Sequence, residues 1–390
     1  MNILMIRWKS ICEPDIIAAW GSIPVTVTQW ELSTKDPDYD QQVLRELSEQ
    51  LLAHSYSFVF SVDYFPIVAR VCNALHVRYV SWSVDCPVVQ YYSKTLSYEY
   101  NRIFLFDYAM YEEFYPENPK HTYYLPLGGA VAHNDEVLAS ITEEDRKKYA
   151  ADVSFIGSTY EEKCKYNTLS GLSSYTKGYA DGLIETQLLV YGYNFLEEAM
   201  TEKFIAHFRE DTGIGAVNED YRENVRAFIA QLYLGEKVTE QERLRLLKRL
   251  GKRFYVDMYT MSDTSRLLGV TNRGSAESRV EMPKIFHLSK INLNMTSKTI
   301  RTGLPQRFFD VLAAGGFLLS NMQAELPEFL VPGQDVETYA SFEECEAKIA
   351  YYLEHEEERK QIQENGYRKV KEHHTIRHRL CLMLEILAKD

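Results

Sequence analysis

Arg307 and Asp310 stand three residues apart between Pro305 and the Gly315-Gly316 pair, and these flanking breakers mark the stretch as a helix. Helical spacing puts both side chains on one face, where a guanidinium can meet a phosphate and a carboxylate can accept from ribose hydroxyls. Pro305 suits the first helical turn, and Thr302-Gly303-Leu304 turns the chain into it. Free N–H groups at such a helix start, together with its dipole, favour an anion. The apolar runs Ile291–Asn294 and Phe317–Asn321 predict strands on either side, so residues 291–321 make a β-α-β unit. A right-handed crossover sets Asn294, the polar end of the first strand, and the Thr302-Gly303 turn at the edge where open α/β sheets bind ligands. Two readings fit this segment: a nucleotide-sugar site, or a capped crossover helix with a surface arginine and aspartate.

A second group of polar residues comes from the first third of the chain. Two predicted strands end in the same tripeptide, Ser61-Val62-Asp63 and Ser83-Val84-Asp85. In a parallel sheet both aspartates emerge at the carboxyl edge, where either could serve as a general base or hold an acceptor hydroxyl. Aspartate also caps helices, which is the first reading for Asp63 with a helix soon after it; for Asp85, which runs into Cys86-Pro87, base and cap stay open. Arg7, Trp8 and Lys9 follow the first strand and share that edge as acceptor-side candidates. Farther on, Gly157-Ser158 closes the strand Asp152–Ile156 in a turn that lets backbone N–H groups approach an anion. Arg243, Arg245, Lys248, Arg249, Lys252 and Arg253 form a basic cluster, read as the solvated face of a helix ahead of an anionic-acceptor or membrane-surface patch. His374, His378 and Cys381 could share a helix face, but no second ligand group completes a metal site, so no metal is expected.

Strand-like and helix-like segments alternate along the chain at β-α-β spacing, which predicts doubly wound, largely parallel sheets. The pattern runs over 1–130, pauses over a linker at 131–151, and resumes over 152–370 with a charged helical insertion at about 185–252. Within the second region Asn365-Gly366 reads as a helix stop, and residues 371–390 supply a last helix. With 390 residues, 45% of them apolar and 25% charged, the chain suits two globular cores. A formal net charge of -13 argues against a nucleic-acid groove as the main function. No apolar stretch reaches membrane-spanning length, no signal-peptide pattern opens the sequence, and the six cysteines lack any C-x-x-C pair. A cytoplasmic protein with reduced core thiols is the expectation.

The string SKINLNMTSKTIRTGLPQRFFDVLAAGGFLLSNMQAELPEFL, with the later YYLEHEEERKQIQENGYRKVKEHHT, resembles the C-terminal domain of glycosyltransferase-like proteins related to the spore-maturation protein CgeB. The earlier VDYFPIVARVCNALHVRYVSWSVDCP resembles the N-terminal domain that accompanies it in many bacterial members. The resemblance implies a GT-B fold, with two doubly wound domains across a cleft and the last helix packing back on the first domain. It further implies a nucleoside-diphosphate-sugar donor, of UDP or GDP type, in the second domain, an acceptor in the first, and no metal or other cofactor. On that footing Arg307 and Gly303 fit the diphosphate, Asp310 the ribose, and Gly157, Ser158, Asn294 and Thr302 the rest of the donor site. Related retaining transferases place glutamates at the positions of Thr302 and Asp310; the second keeps its carboxylate here and the first does not. Asp85 is a base only if the reaction inverts configuration. A nucleotide-sugar epimerase and a non-catalytic nucleotide-sugar-binding module stand beside the transferase as rival expectations.

Overall fold

The computed structural model describes residues 1–215 and 218–390. They cluster into two compact units, the first from Met1–Leu127, 218–224 and Ile376–Asp390, the second from Gly128–Gly215 and Val225–Thr375.

The first unit holds six parallel strands: β1 (Asn2–Arg7), β2 (Thr26–Glu31), β3 (Phe58–Val62), β4 (Tyr79–Trp82), β5 (Asn101–Leu105) and β6 (Thr122–Tyr124). Their order is β2-β1-β3-β4-β5-β6. Central strands of such a sheet are covered on both faces, which is why Ile3–Ile6 and Phe58–Val62 are continuous apolar runs with every residue buried. The edge strand β2 instead mixes threonine and glutamine and is mostly exposed. The helix Ile376–Lys389 belongs to this unit: Arg379 Nε donates to Leu127 O at 2.9 Å, and Arg102 pairs with Asp390.

The second unit repeats the plan with β7 (Ala151–Ile156), β8 (Val256–Tyr259), β9 (Val270–Asn272), β10 (Ser289–Asn294), β11 (Leu318–Asn321) and β12 (Glu337–Tyr339). All pairings are parallel and the order is β12-β11-β10-β7-β8-β9, a Rossmann arrangement whose strand order reverses between β7 and β10. Between β7 and β8 the chain builds a helical region with a core of its own, in which Leu183, Ile184, Phe204, Phe208, Ile229 and Leu234 pack together. Its last helix, Glu236–Leu250, follows a π-helical stretch, Ile229–Gly235, and packs Leu246, Leu247 and Leu250 onto the sheet.

Several expectations change here. Residues 131–151, read as a linker ending in an acidic helical piece, carry two helices, Val131–Ala139 and Glu143–Tyr149, the second opened by a Thr142–Asp145 capping box. Asn365-Gly366 does not stop a helix, because Glu356–His373 runs through it. Gly366 is there for space: a Cβ on it would lie 2.2 Å from Asp335 O. His374 caps that helix and packs on Phe329, whereas His378 and Cys381 lie on the next helix, so the three share no helix face. The basic cluster is largely neutralised by its neighbours. Arg245 pairs with Glu185 at 2.8 Å, Arg253 with Glu346 at 2.9 Å, and Arg249 with Glu343 and Glu346.

Candidate functional site

Outside the carboxyl ends of β7 and β10, where the strand order reverses, an open α/β sheet has its ligand crevice. Two loops border it, one after β7 with Gly157 and Ser158, the other after β10 with Met295–Thr299. Arg243, reaching in from the Glu236–Leu250 helix, ties them together: Nη1 donates to Ser158 O at 2.9 Å and Nη2 to Met295 O at 2.7 Å. The guanidinium also lies 4.8 Å from the centre of the Tyr160 ring and 5.4 Å from that of Phe155. Its Nε, like Ser158 Oγ and Thr159 Oγ1, is buried with no hydrogen-bond partner among the described residues. Next to it on the same helix, Glu242 is 1% exposed and faces the 8%-exposed Lys298 at 3.7 Å. Buried polar atoms left without partners are uncommon in folded proteins, and here they gather at one sheet edge with cations beside them.

The loop after β10 is held rigidly. Lys298 N–H donates to Thr239 Oγ1 at 2.9 Å, Asn194 Nδ2 to Lys298 O at 2.7 Å, and Thr296 N–H to Asn321 Oδ1 at 2.9 Å. Asn294 joins β10 to β11, donating to Ser320 Oγ at 2.9 Å and to Thr296 Oγ1 at 3.0 Å, so its amide N–H groups serve the protein. Gly157 N–H is likewise engaged with Tyr259 O at 3.2 Å, and Thr159 N–H with Ser262 Oγ at 2.9 Å. Close packing explains the glycine at 157, where a Cβ would come 2.9 Å from the Phe155 ring.

Thr302 and Gly303 lie in the turn before the helix Gln306–Ala313, with Thr302 O accepting from Glu325 N–H at 3.1 Å. Pro305 is the N-cap rather than the first helical residue and has no side chain to offer the first N–H groups. The far end closes as expected. Gly315, at φ 62°, sends its N–H to Leu312 O, and Gly316 sends its own to Val311 O, a Schellman cap. Arg307 and Asp310 do share a face and pair with each other at 3.2 Å. Gln306 Nε2 donates to Asp310 Oδ1 at 2.8 Å, and the Arg307 guanidinium lies 5.2 Å from the centre of the Phe286 ring. Both side chains keep part of their surface in solvent, at 24% and 32%.

In the first unit the strand order reverses between β1 and β3, and the acceptor-side candidates gather there and at the end of β4. Arg7 and Trp8 are committed to the fold. Arg7 Nε pairs with the buried Glu13 at 2.6 Å, Trp8 N–H donates to Glu13 Oε1 at 2.7 Å, and Trp8 Nε1 donates to Val62 O at 2.9 Å. Asp63 does not cap the following helix, Pro66–Ala74, whose N-cap is Phe65. At φ 55° its backbone is left-handed, a conformation uncommon outside glycine, and its Oδ1 accepts from Val84 N–H at 3.0 Å and Asp85 N–H at 3.3 Å. Burial first, and the neighbouring Asp85 carboxylate second, push the Asp63 carboxyl up to about 8, against the lowering effect of those two N–H groups. Asp85 itself is exposed.

Arg243, Glu242 and Lys298 were not singled out from the sequence as site residues. A signal was present: Arg243 precedes Leu247 by four and Leu250 by seven, which places it on the buried stripe of its helix, away from Arg245 and Arg249.

Comparison with known proteins adds to this geometry. The fold is the two-domain α/β fold of GT-B glycosyltransferases. A glycosyltransferase from Rickettsia africae ESF-5 superposes with a TM-score of 0.55 at 12% identity, over 99% of this chain and 97% of that one. Anabaena Alr3699/HepE in complex with UDP-glucose gives 0.56 at 9% identity, over 100% of both chains. At such identities the likeness is one of fold. Residues 237–385 match the model of a family described as glycosyl transferase-like. An uncharacterized protein of Aquifex aeolicus (strain VF5) is 29% identical over 111 residues, and the chain spans 28% of that relative's length.

Proposed function

We propose that the protein is a glycosyltransferase that moves a sugar from a nucleoside diphosphate donor to a hydroxyl or other nucleophile. One observation carries this reading: the family match over 237–385 takes in the helix bearing Arg243, the loop after β10 with Lys298, and the helix bearing Arg307 and Asp310. UDP is the first donor nucleotide to test, because the Anabaena protein was solved with UDP-glucose.

In the proposed reaction the second unit holds the donor. Its diphosphate meets the uncapped start of Gln306–Ala313 and the Arg307 guanidinium, and Asp310 accepts from the ribose. As the sugar leaves, charge builds on the diphosphate, and these fixed dipoles and cations stabilise it without reorganising and without a metal ion. The first unit, with Asp85 exposed at the end of β4, serves the acceptor.

Arg307→Ala is expected to lower kcat for donor turnover about 100-fold, the effect of removing roughly 2.7 kcal/mol of charge stabilisation, with a small change in Tm. Turnover near that of the wild type would contradict the donor assignment. A calorimetric panel of UDP-, GDP-, dTDP- and CMP-sugars followed by a product assay separates the rivals. Binding with slow donor hydrolysis supports a transferase, binding with isomerisation an epimerase, and binding with neither a module, the reading that Thr302 in place of a glutamate would favour.

A further inference from the structure

Tyr160 stands in a backbone conformation that does not suit its side chain. It follows Gly157–Thr159 in the loop after β7 at φ 72°, in the left-handed region that glycine and short polar residues visit and a bulky residue rarely does. The turn uses only its backbone: Tyr160 O accepts from Lys163 N–H at 3.0 Å and from Cys164 N–H at 2.9 Å. Glycine would make the same turn with less strain, so a tyrosine kept there in a crevice loop points to a use for the side chain. The Arg243 guanidinium, which bridges the two crevice loops, lies 4.8 Å from the centre of the ring, and Lys163 Nζ lies 5.7 Å from it. Packing on Arg243 accounts for the ring but not for the hydroxyl. Tyr160 is half-buried and its Oη makes no hydrogen bond among the described residues; Ser158 Oγ and Thr159 Oγ1, just before it, are buried and equally without partners. The protein thus leaves the hydroxyls of 158–160 unsatisfied, and that of Tyr160 is the one not enclosed. The acidic residues that follow are engaged with the segment between β8 and β9: Glu161 pairs with Arg266, and Glu162 accepts from Ser262 Oγ at 2.9 Å.

Resting on the transferase reading above, we propose that Tyr160 is a donor-binding residue whose Oη donates a hydrogen bond to the diphosphate. The two cations beside the ring favour an anion at its hydroxyl over a neutral sugar or base. Arg243 spends Nη1 and Nη2 on Ser158 O and Met295 O, so the directed donor at this point of the crevice is the phenol. Stacking on Arg243 and the locked turn fix the ring before the donor arrives, which spares the entropy of ordering it on binding.

The test is calorimetric titration of UDP and UDP-glucose into the full chain and its Tyr160→Phe variant, with GDP and GDP-glucose in their place where the wild type binds those instead. Inorganic pyrophosphate is added as a competitor of the bound nucleotide, and Tm is measured on both proteins. Phenylalanine keeps the ring on Arg243 and removes only an oxygen that has no partner in the protein. Its Tm should therefore stay within about 1 °C of the wild type. Kd for UDP and for UDP-glucose should each rise about tenfold, the loss of one hydrogen bond to a charged group. Pyrophosphate, which carries neither nucleoside nor sugar, should weaken as a competitor by a similar factor. An effect on UDP-glucose alone would assign the hydroxyl to the sugar, and an effect on UDP without one on pyrophosphate would assign it to the nucleoside; either result overturns the proposal. So does a fall in Tm of more than about 3 °C, which would show that the hydroxyl serves the fold. Equal affinities in the two proteins would overturn the proposal and leave the transferase reading standing. A wild type that binds no nucleoside diphosphate would defeat that reading, and the proposal with it.

Discussion

Arg243→Met should lower donor turnover at least about 100-fold and reduce stability by about 3 kcal/mol. Both effects follow from the position of one guanidinium. It binds the carbonyls of Ser158 and Met295, which belong to the two loops bordering the β7/β10 crevice. Methionine fills much of the volume but leaves two carbonyls without a donor, and charge-assisted hydrogen bonds contribute roughly 1.5–3 kcal/mol each before relaxation. Loops freed by even an ångström misplace the donor relative to the Gln306–Ala313 helix start, and misplacement of that size can cost about 100-fold in rate. Arg243→Lys should not rescue, because one ammonium on a flexible stem cannot span two carbonyls in the fixed fork that arginine presents. Urea unfolding gives the stability loss and donor titration the affinity. A variant that binds UDP as the wild type does would remove Arg243 from the site.

A larger loss of stability is expected from Gly269→Ala. Gly269 precedes β9 at φ 78°, and a Cβ on it would fall 1.8 Å from Gly251 O. Gly251 ends the Glu236–Leu250 helix, and its own Cβ position lies 2.2 Å from Leu268 O. Two backbones therefore touch where neither residue has room for a side chain, and one of them is left-handed. The positive φ costs an alanine about 1 kcal/mol, and the forced separation of packed backbone typically adds about 1–3 kcal/mol, occasionally more. A total near 4 kcal/mol should appear as a lower urea midpoint with an unchanged slope. An unchanged midpoint would mean that the helix end shifts freely to make room.

The sheets were legible in the sequence because parallel strands buried on both faces leave unbroken apolar runs, as at Ile3–Ile6 and Phe58–Val62. The crossover helix was legible because proline and the Gly315-Gly316 pair mark its two ends by local chemistry. Gly366 misled for the same reason: glycine signals a helix stop or a close approach, and only the packing against Asp335 O tells which. The site was harder to read. Asp310 and Arg307 could be found from spacing, but their pairing with each other depends on side-chain conformation. Asp63 looked like a helix cap because its partners, the N–H groups of Val84 and Asp85, lie more than twenty residues away. Arg243 was hidden in a run of basic residues whose other members are solvated or paired with Glu185, Glu343 and Glu346.

Asp63 also gives the stability a pH dependence whose sign is fixed. In the unfolded chain its carboxyl ionises near the ordinary value of about 4, whereas in the folded protein it stays protonated up to about 8. Between those values the native state holds one more proton than the unfolded state, so this group's contribution to stability falls as pH rises from 4 to 8 and is level above that. Asp63→Asn removes the slope. The Tm of the variant minus that of the wild type should therefore increase from pH 5 to pH 8, and a difference that stays constant would show that Asp63 ionises normally.

Calorimetric titration of UDP into the full chain, beside Arg243→Met and Arg307→Ala, tests most directly whether the β7/β10 crevice of the second unit is a nucleotide-diphosphate site. The expected result is saturable one-to-one binding to the wild type, with a Kd on the order of 1–100 μM, weakened tenfold or more in each variant. Wild-type affinity for UDP in both variants, or no binding of UDP, GDP, dTDP or CMP to the wild type at roughly millimolar concentration, would contradict it.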